Sequence, residues 1–157
     1  MLTHLRAAPR QAPPAPPQQP PEPTAALLDA IGSIEDEDHI LVLGKDGLDL
    51  MCALLRAGAA QVTHLCSHER PEADSASLVL VPHVASLDWL ASTLPSIRRT
   101  LMANGRVVAR VATQFTSRDA VRRVLTQHGF SAIRTQSTAD GQVVSAELPA
   151  FGLRRCA

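Results

Sequence analysis

Apolar residues from about Thr24 to Phe151 fall into two alternating patterns, short continuous runs and runs with helical spacing. A fully apolar run that ends at a glycine, such as Ile40–Leu43 before Gly44, fits a parallel strand buried on both faces. The pattern predicts six strands, the last two joined across Thr138–Gly141, where Asp-Gly is a strong hairpin signal. The predicted ranges are Ile40–Leu43, Gln61–Cys66, Ser77–Val81, Arg106–Val111, Phe130–Thr135 and Val143–Leu148.

Residues with helical spacing predict four helices between or before these strands. A proline inside a helix removes an amide donor and collides with the preceding turn, so the third helix is expected to be interrupted or kinked near Pro95. The predicted helices are Thr24–Gly32 with Thr24 as the cap, Leu48–Gly58, Ser86–Met102 ended by Asn104-Gly105, and Ser117–Gly129 with Ser117 as the cap.

This order of elements predicts an α/β fold, a Rossmann-like mostly parallel sheet with helices on both faces and a C-terminal antiparallel hairpin. Only about ten residues, 67–76, separate the second and third strands, which is near the lower limit for a crossover with its own helix. We therefore do not expect these two strands to be neighbours. The chain of 157 residues suits one domain, residues 24–152, between a Pro-rich tail, 1–23, and a short C-terminal tail, 153–157.

Residues 9–23 of this tail contain eight prolines and almost no large apolar side chain, so we expect the segment to be disordered or in the polyproline-II conformation. Its PxxP spacings allow two interpretations. One is a docking peptide for an aromatic-lined groove, and the other is a plain N-terminal extension.

Charge and composition narrow the classes of function. Fifteen basic residues balance fifteen acidic ones, so the positive field that dominates nucleic-acid binding is missing, and we expect no nucleic-acid partner. No apolar run approaches the roughly 20 residues of a membrane span, and no secretory signal pattern is present, so we expect no membrane association and a cytoplasmic location. Three cysteines without C-x-x-C spacing argue against a disulfide framework.

Three segments of the chain resemble the class I S-adenosylmethionine-dependent methyltransferases. Ile40–Gly58 is similar to that family's glycine loop and first helix. Leu101–Val108, with the sequence LMANGRVV, is similar to its helix, glycine turn and fifth strand. Gly129-Phe130 opens a terminal hairpin of the kind that inserts a final antiparallel strand into the sheet. The resemblance covers roughly Thr24 to Leu148 and implies S-adenosylmethionine as the cofactor if the domain is active.

The first glycine loop departs from the family's pattern. The family carries a G-x-G-x-G-like run, because glycines let the backbone approach the methionine moiety of the cofactor. Here only Gly44 and Gly47 match, and Lys45 and Asp46 fill the loop. A lysine beside a helix N-terminus can attract a phosphate or carboxylate, whereas Asp46 is expected mainly to cap the helix.

The position that binds the cofactor's ribose also differs. In the family, the second strand ends in an acid that binds both ribose hydroxyls, but the aligned residue here is Cys66. Glu69 can substitute if the loop turns back. Between Cys66 and Ser77 the chain has no room for the helix, strand and helix that close over the adenine in the family. The candidate cofactor-binding residues are thus Gly44, Lys45, Asp46, Gly47, Cys66 and Glu69.

A single histidine and one group of histidine and cysteine residues suggest further chemistry. His83 follows the third strand, where the family's substrate-facing motif lies, and is the candidate catalytic base. A structural or surface histidine is the competing interpretation. Strand alternation would place His64, Cys66 and His68 on one face, and these residue types bind zinc, but the spacing matches no recognised zinc signature. We therefore predict no metal site.

These patterns predict a degenerate methyltransferase-like domain that is non-catalytic, lacks a cofactor and acts as a binding or assembly module. The alternative is an active S-adenosylmethionine-dependent methyltransferase for a small molecule or a protein. A receiver-like regulatory domain ranks last, because neither Leu43-Gly44 nor Val81-Pro82 supplies the acids it requires. The expected partners are a protein of unknown identity and a second copy of the chain, which would pair through Gln61–Cys66 at the sheet edge.

Overall fold

A computed structural model describes residues 22–66, 69–112 and 117–150 of the chain. Within these residues, six strands form one sheet with the order β2-β1-β3-β4-β6-β5, and four helices pack against it. The strands are β1 (His39–Leu43), β2 (Gln61–Leu65), β3 (Ala76–Val84), β4 (Leu101–Ala112), β5 (Ser131–Thr138) and β6 (Gly141–Glu147). The helices are α1 (Glu22–Ile31), α2 (Gly47–Arg56), α3 (Leu87–Thr100) and α4 (Arg118–Gln127).

The strand directions confirm the predicted fold class. β1 lies between β2 and β3 and is parallel to both, and β3 is parallel to β4. β6 is antiparallel to its neighbours β4 and β5, and Thr138 pairs with Gly141 across the predicted hairpin turn. The second and third strands are not neighbours, as the short segment between them predicted. The sheet is therefore mostly parallel, with a C-terminal antiparallel strand inserted beside β4.

The central strands send alternate side chains into two separate cores. Ile40 and Val42 of β1 pack with apolar residues of α1 and α2 on one face of the sheet. Leu41 packs on the other face, in the core that includes residues of α3 and α4. Both faces of the central strands are buried, which explains why these strands are continuously apolar instead of alternating.

The third helix was predicted to end at Met102, but it ends two residues earlier. α3 runs without interruption through Pro95 and ends at Thr100, and Leu101 opens β4 opposite Ala76. Leu101 is only 1% exposed. Burial of this side chain at the start of a central strand favours the early change from helix to strand.

Asn104-Gly105 was predicted to end the third helix, but the pair lies inside β4. Asn104 has a φ of +62° at an irregularity in the pairing of β3 with β4. A Cβ on Gly105 would lie 2.9 Å from both Leu101 Cδ2 and the Met102 carbonyl oxygen. The Asn-Gly pair therefore makes a bulge in which only glycine fits.

The first helix begins two residues earlier than predicted. The helix already includes Glu22 and Pro23, so Thr24 is buried within its first turn and is not the cap. Proline is well tolerated there, because the amide that it lacks would have no partner in a first turn. Residues 1–21 of the predicted Pro-rich tail and all of 153–157 lie outside the described residues.

Serine caps begin two of the helices. The Ser117 hydroxyl accepts a hydrogen bond from the Ala120 amide at the start of α4, which confirms the predicted cap. Ser86 accepts from the Trp89 amide in the same way at the start of α3. Among the described helices, none is both long enough and apolar enough to cross a lipid bilayer.

Candidate functional site

The candidate site lies where β1, β2 and β3 end at the same edge of the sheet. These strands are parallel, so the segments after Leu43 and Leu65 and the end of β3 at Val84 all open at the carboxyl edge. From β1 the chain passes to β2 on one side of β1, and it then crosses to β3 on the other side of β1. Open α/β sheets bind ligands in the crevice at such a switch in strand order.

The first glycine loop is fastened to β2. The Gly44 amide donates a hydrogen bond to the Leu65 carbonyl at 3.3 Å, and His64 Nε2 donates to the Gly44 carbonyl at 2.6 Å. Gly44 has a φ of +117°, a conformation that favours glycine, and a Cβ there would meet nothing within 4 Å. The backbone conformation of the turn, and not a lack of space, therefore explains why residue 44 is glycine.

Gly47, the second loop glycine, is buried against side chains of this chain. A Cβ on Gly47 would lie 2.6 Å from His64 Nε2 and 2.8 Å from Val42 Cγ1, and it would also collide with the adjacent ring carbon of His64. Val42 and His64 are paired residues on neighbouring strands, and both face α2. Internal packing therefore accounts for the glycine at position 47 without a bound ligand.

The two polar residues of the loop are exposed. Lys45 projects into solvent, and Asp46 occupies the N-cap position of α2. The carboxylate of Asp46 makes no capping hydrogen bond, which corrects the expected capping role. Its φ of −98° and ψ of 27° lie outside the extended region from which a cap side chain normally reaches the first helical amides.

The end of β2 brings Glu69 back beside Cys66. The Glu69 amide donates to the Cys66 carbonyl at 3.1 Å, and the Cys66 amide donates to Glu69 Oε2 at 3.4 Å. Both side chains are exposed. The thiol stands at the strand end, and a carboxylate stands next to it at the same edge of the sheet.

His83, the candidate base, is an exposed residue near the end of β3. It lines a cavity of about 150 Å³ together with Pro82, Asp46 and Arg110. Small-molecule sites are usually about 300–1,000 Å³. This crevice therefore suits a small group better than a whole nucleoside.

His64 and Cys66, two of the three residues considered as zinc ligands, lie in the described part of the chain. His64 uses Nε2 on the Gly44 carbonyl, and Cys66 lies just beyond the end of β2. His68 lies outside the described residues. In the portion of the chain with assigned positions, no group of three His, Cys, Asp or Glu side chains could hold a metal ion.

A larger groove lies on the face of the sheet that carries α3 and α4. Its volume is about 350 Å³, and it separates the β1–β2 edge from the segment that leads to β3. Apolar and polar side chains line it, among them Leu41, Thr63, Leu65, Arg70 and Glu72. The groove runs along β2 from Leu65 to Gln61 and reaches the amino end of β1 at His39.

Sequence reasoning missed the role of His64 in closing the glycine loop. From the sequence, His64 was a candidate only as a metal ligand. The signal was the register of β1 with β2, which pairs Val42 with His64 and directs both toward the start of α2. A register of this kind becomes visible only when the strand partners are known.

Comparison with known proteins relates this fold to methyltransferases. No protein-family model matches the sequence, and neither does any curated protein. The chain is similar to a chain of the complex that contains the Haloferax volcanii Trm112 methyltransferase activator, with 14% identity, a TM-score of 0.65, and coverage of 82% of this chain and 89% of that chain.

Two further structures show the same similarity. One is geranyl diphosphate methyltransferase in complex with GPP and sinefungin, with 13% identity, a TM-score of 0.60, and coverage of 79% of this chain and 76% of that chain. The other is a SAM-dependent methyltransferase from Thermotoga maritima, with 11% identity, a TM-score of 0.52, and coverage of 80% and 89%. The chain has the fold of the class I S-adenosylmethionine-dependent methyltransferases, as the sequence resemblance implied.

Proposed function

We propose that this methyltransferase-like domain is non-catalytic and acts as a binding or assembly module. The observation that carries the proposal is the packing of the His64 ring against Gly47 and the Gly44 carbonyl. In the methyltransferase resemblance, loop glycines leave room for a ligand. In this chain, one of them leaves room for a histidine of the neighbouring strand.

Two other features support the proposal. Of the candidate cofactor-binding residues, only Asp46 lines the cavity of about 150 Å³ beside His83, so the candidate base does not share a cavity with the rest of the glycine loop or with Cys66. The exposed thiol of Cys66 directly follows β2, where the resemblance requires a carboxylate that accepts two hydrogen bonds from ribose. The residues present therefore fit the cofactor poorly.

Glu69 favours the alternative, an active methyltransferase. Its carboxylate oxygen Oε2 lies 3.4 Å from the Cys66 amide nitrogen, so the carboxylate is next to the residue that aligns with the family's ribose-binding acid. A carboxylate there could accept hydrogen bonds from ribose hydroxyls in place of the missing acid. In this alternative, His83 would supply the base near the methyl acceptor.

A thermal-shift titration separates these two functions. At about 1 mM S-adenosylmethionine, a dissociation constant of about 10 µM stabilises the folded state by about 2.7 kcal/mol, and one of about 1 mM by about 0.4 kcal/mol. For a domain of this size, these values correspond to shifts of roughly 5–11 °C and 1–2 °C in the melting temperature.

We expect the smaller shift or none. The variant Glu69→Ala tests the candidate ribose contact, and Glu37→Ala is the control, because it removes an exposed acid that precedes β1, at the opposite end of the strand. A shift above roughly 5 °C that disappears in Glu69→Ala and persists in Glu37→Ala would establish the active alternative.

A further inference from the structure

The outer side of β2 is an unpaired strand edge. β2 pairs with β1 on one side only, and among the described residues no strand follows it in the sheet. Its five residues, Gln61–Leu65, include no acidic residue, no lysine or arginine, and no proline. Natural proteins usually protect an exposed edge with one of these features or with a bulge, because unpaired amides and carbonyls recruit another strand.

The opposite edge of the sheet, formed by β5, has this protection. Arg134 places a charge on the exposed strand, and the pairing of β5 with β6 is irregular between Ser131 and Arg134. Ala132 lies at this irregularity with a φ of +49°. The two edges of one sheet thus differ, and only β2 offers a regular, neutral row of backbone groups.

We propose that β2 pairs antiparallel with β2 of a second copy of this chain, about a two-fold axis at Thr63. This register places Thr63 opposite Thr63 of the second copy and Gln61 opposite Leu65 of the second copy. The exposed Thr63 side chains form a favourable cross-strand pair, and no like charges meet on the strand. The two six-stranded sheets become one continuous sheet.

The charges beside β2 favour a second copy over an unrelated peptide. Arg70 directly follows Glu69, which is hydrogen bonded to Cys66, so Arg70 lies at the Leu65 end of the strand. Glu72 lies near the Gln61 end, because its carbonyl accepts from Ser75 Oγ and Ser75 contacts His39 at the start of β1.

An antiparallel two-fold pairing brings the Leu65 end of one strand to the Gln61 end of the other. Arg70 of each copy then lies at the same end of the interface as Glu72 of the second copy, where opposite charges attract. A single chain supplies both halves of this complementarity, as an isologous interface requires. This interface would be the surface through which the proposed assembly module acts. The inference rests on the proposed function only for that biological role, because the pairing itself is argued from the strand edge and its charges.

The mass of the full chain in solution tests the interface. Light scattering after size exclusion at tens of micromolar protein should give twice the chain mass of 16.8 kDa. Thr63→Lys places two ammonium groups opposite each other at the axis and should raise the dimer dissociation constant at least about tenfold. Thr135→Lys is the matched control, because it makes the same change on the exposed edge strand β5. Its dissociation constant should be unchanged.

A charge exchange tests the same register without changing β2. Arg70→Glu and Glu72→Arg should each weaken the dimer, and the double variant should restore it. Circular dichroism checks that each variant is folded. If Thr63→Lys does not fold, the three charge-exchange variants alone test the proposed register. A monomeric wild-type chain, a dimer insensitive to Thr63→Lys, or a double variant weaker than both single ones would overturn the proposal. Cofactor binding is not measured here, so this result is independent of the catalytic question.

Discussion

Replacing Gly47 with alanine distinguishes a glycine required by internal packing from one required by a ligand. The new Cβ would lie 2.6 Å from His64 Nε2 and 2.8 Å from Val42 Cγ1, where ordinary contacts begin at 3.4 Å. The imidazole must therefore move, and it then loses its hydrogen bond to the Gly44 carbonyl. The substitution acts on folding even when no ligand is present.

The expected cost follows from three terms. Overpacking a filled site costs about 1–3 kcal/mol. The lost hydrogen bond adds about 0.5–1.5 kcal/mol, and alanine regains up to about 1 kcal/mol of helix propensity. The net destabilisation is about 0.5–4.5 kcal/mol, or a fall of roughly 1–18 °C in melting temperature for a domain of this size.

Urea and thermal unfolding followed by circular dichroism measure this cost. The control is the same substitution in a His64→Ala background, where the main obstacle is gone. There Gly47→Ala should cost at least about 1 kcal/mol less than in the wild type, which is the coupling energy of the pair. An unchanged stability in the single variant, or equal costs in both backgrounds, would refute the packing explanation.

Urea unfolding of three further variants tests a hydrogen bond, a strained backbone conformation and a buried amide group. Arg106→Met removes the guanidinium that donates to the Ile31 carbonyl at 3.0 Å, and it should cost about 1–2 kcal/mol; no loss would contradict the contact. Ala132→Gly relieves a φ of +49° and should stabilise by about 1 kcal/mol, whereas a loss would contradict the strain. Gln142, 2% exposed, has no partner for its amide among the described residues, so Gln142→Leu should stabilise by about 1 kcal/mol; a marked loss would reveal a partner.

The fold was predictable from the sequence because its central strands are buried on both faces. Ile40–Leu43 and Ser77–Val81 are continuous apolar runs, and runs of this kind indicate parallel strands whatever their order. The short segment 67–76 also predicted that β2 and β3 are not neighbours. The hairpin was marked by its Asp-Gly pair, a local signal that needs no tertiary information.

The element boundaries and the interior of the site were less predictable. The helical pattern continued past Thr100, but burial of Leu101 beside β3 determines where β4 begins. Asn104-Gly105 has the composition of a helix stop and forms a bulge instead, because tertiary pairing overrides the local preference. The contact of His64 with Gly47 depends on strand register, which one sequence does not disclose.

Calorimetric titration of the full chain with S-adenosylmethionine and with S-adenosylhomocysteine tests the non-catalytic account most directly. Each lost ribose hydrogen bond costs about 0.5–1.5 kcal/mol, and about 4.1 kcal/mol separates micromolar from millimolar affinity. The account predicts no saturable heat at cofactor concentrations near about 100 µM. A dissociation constant below that value, abolished by Glu69→Ala, would contradict it.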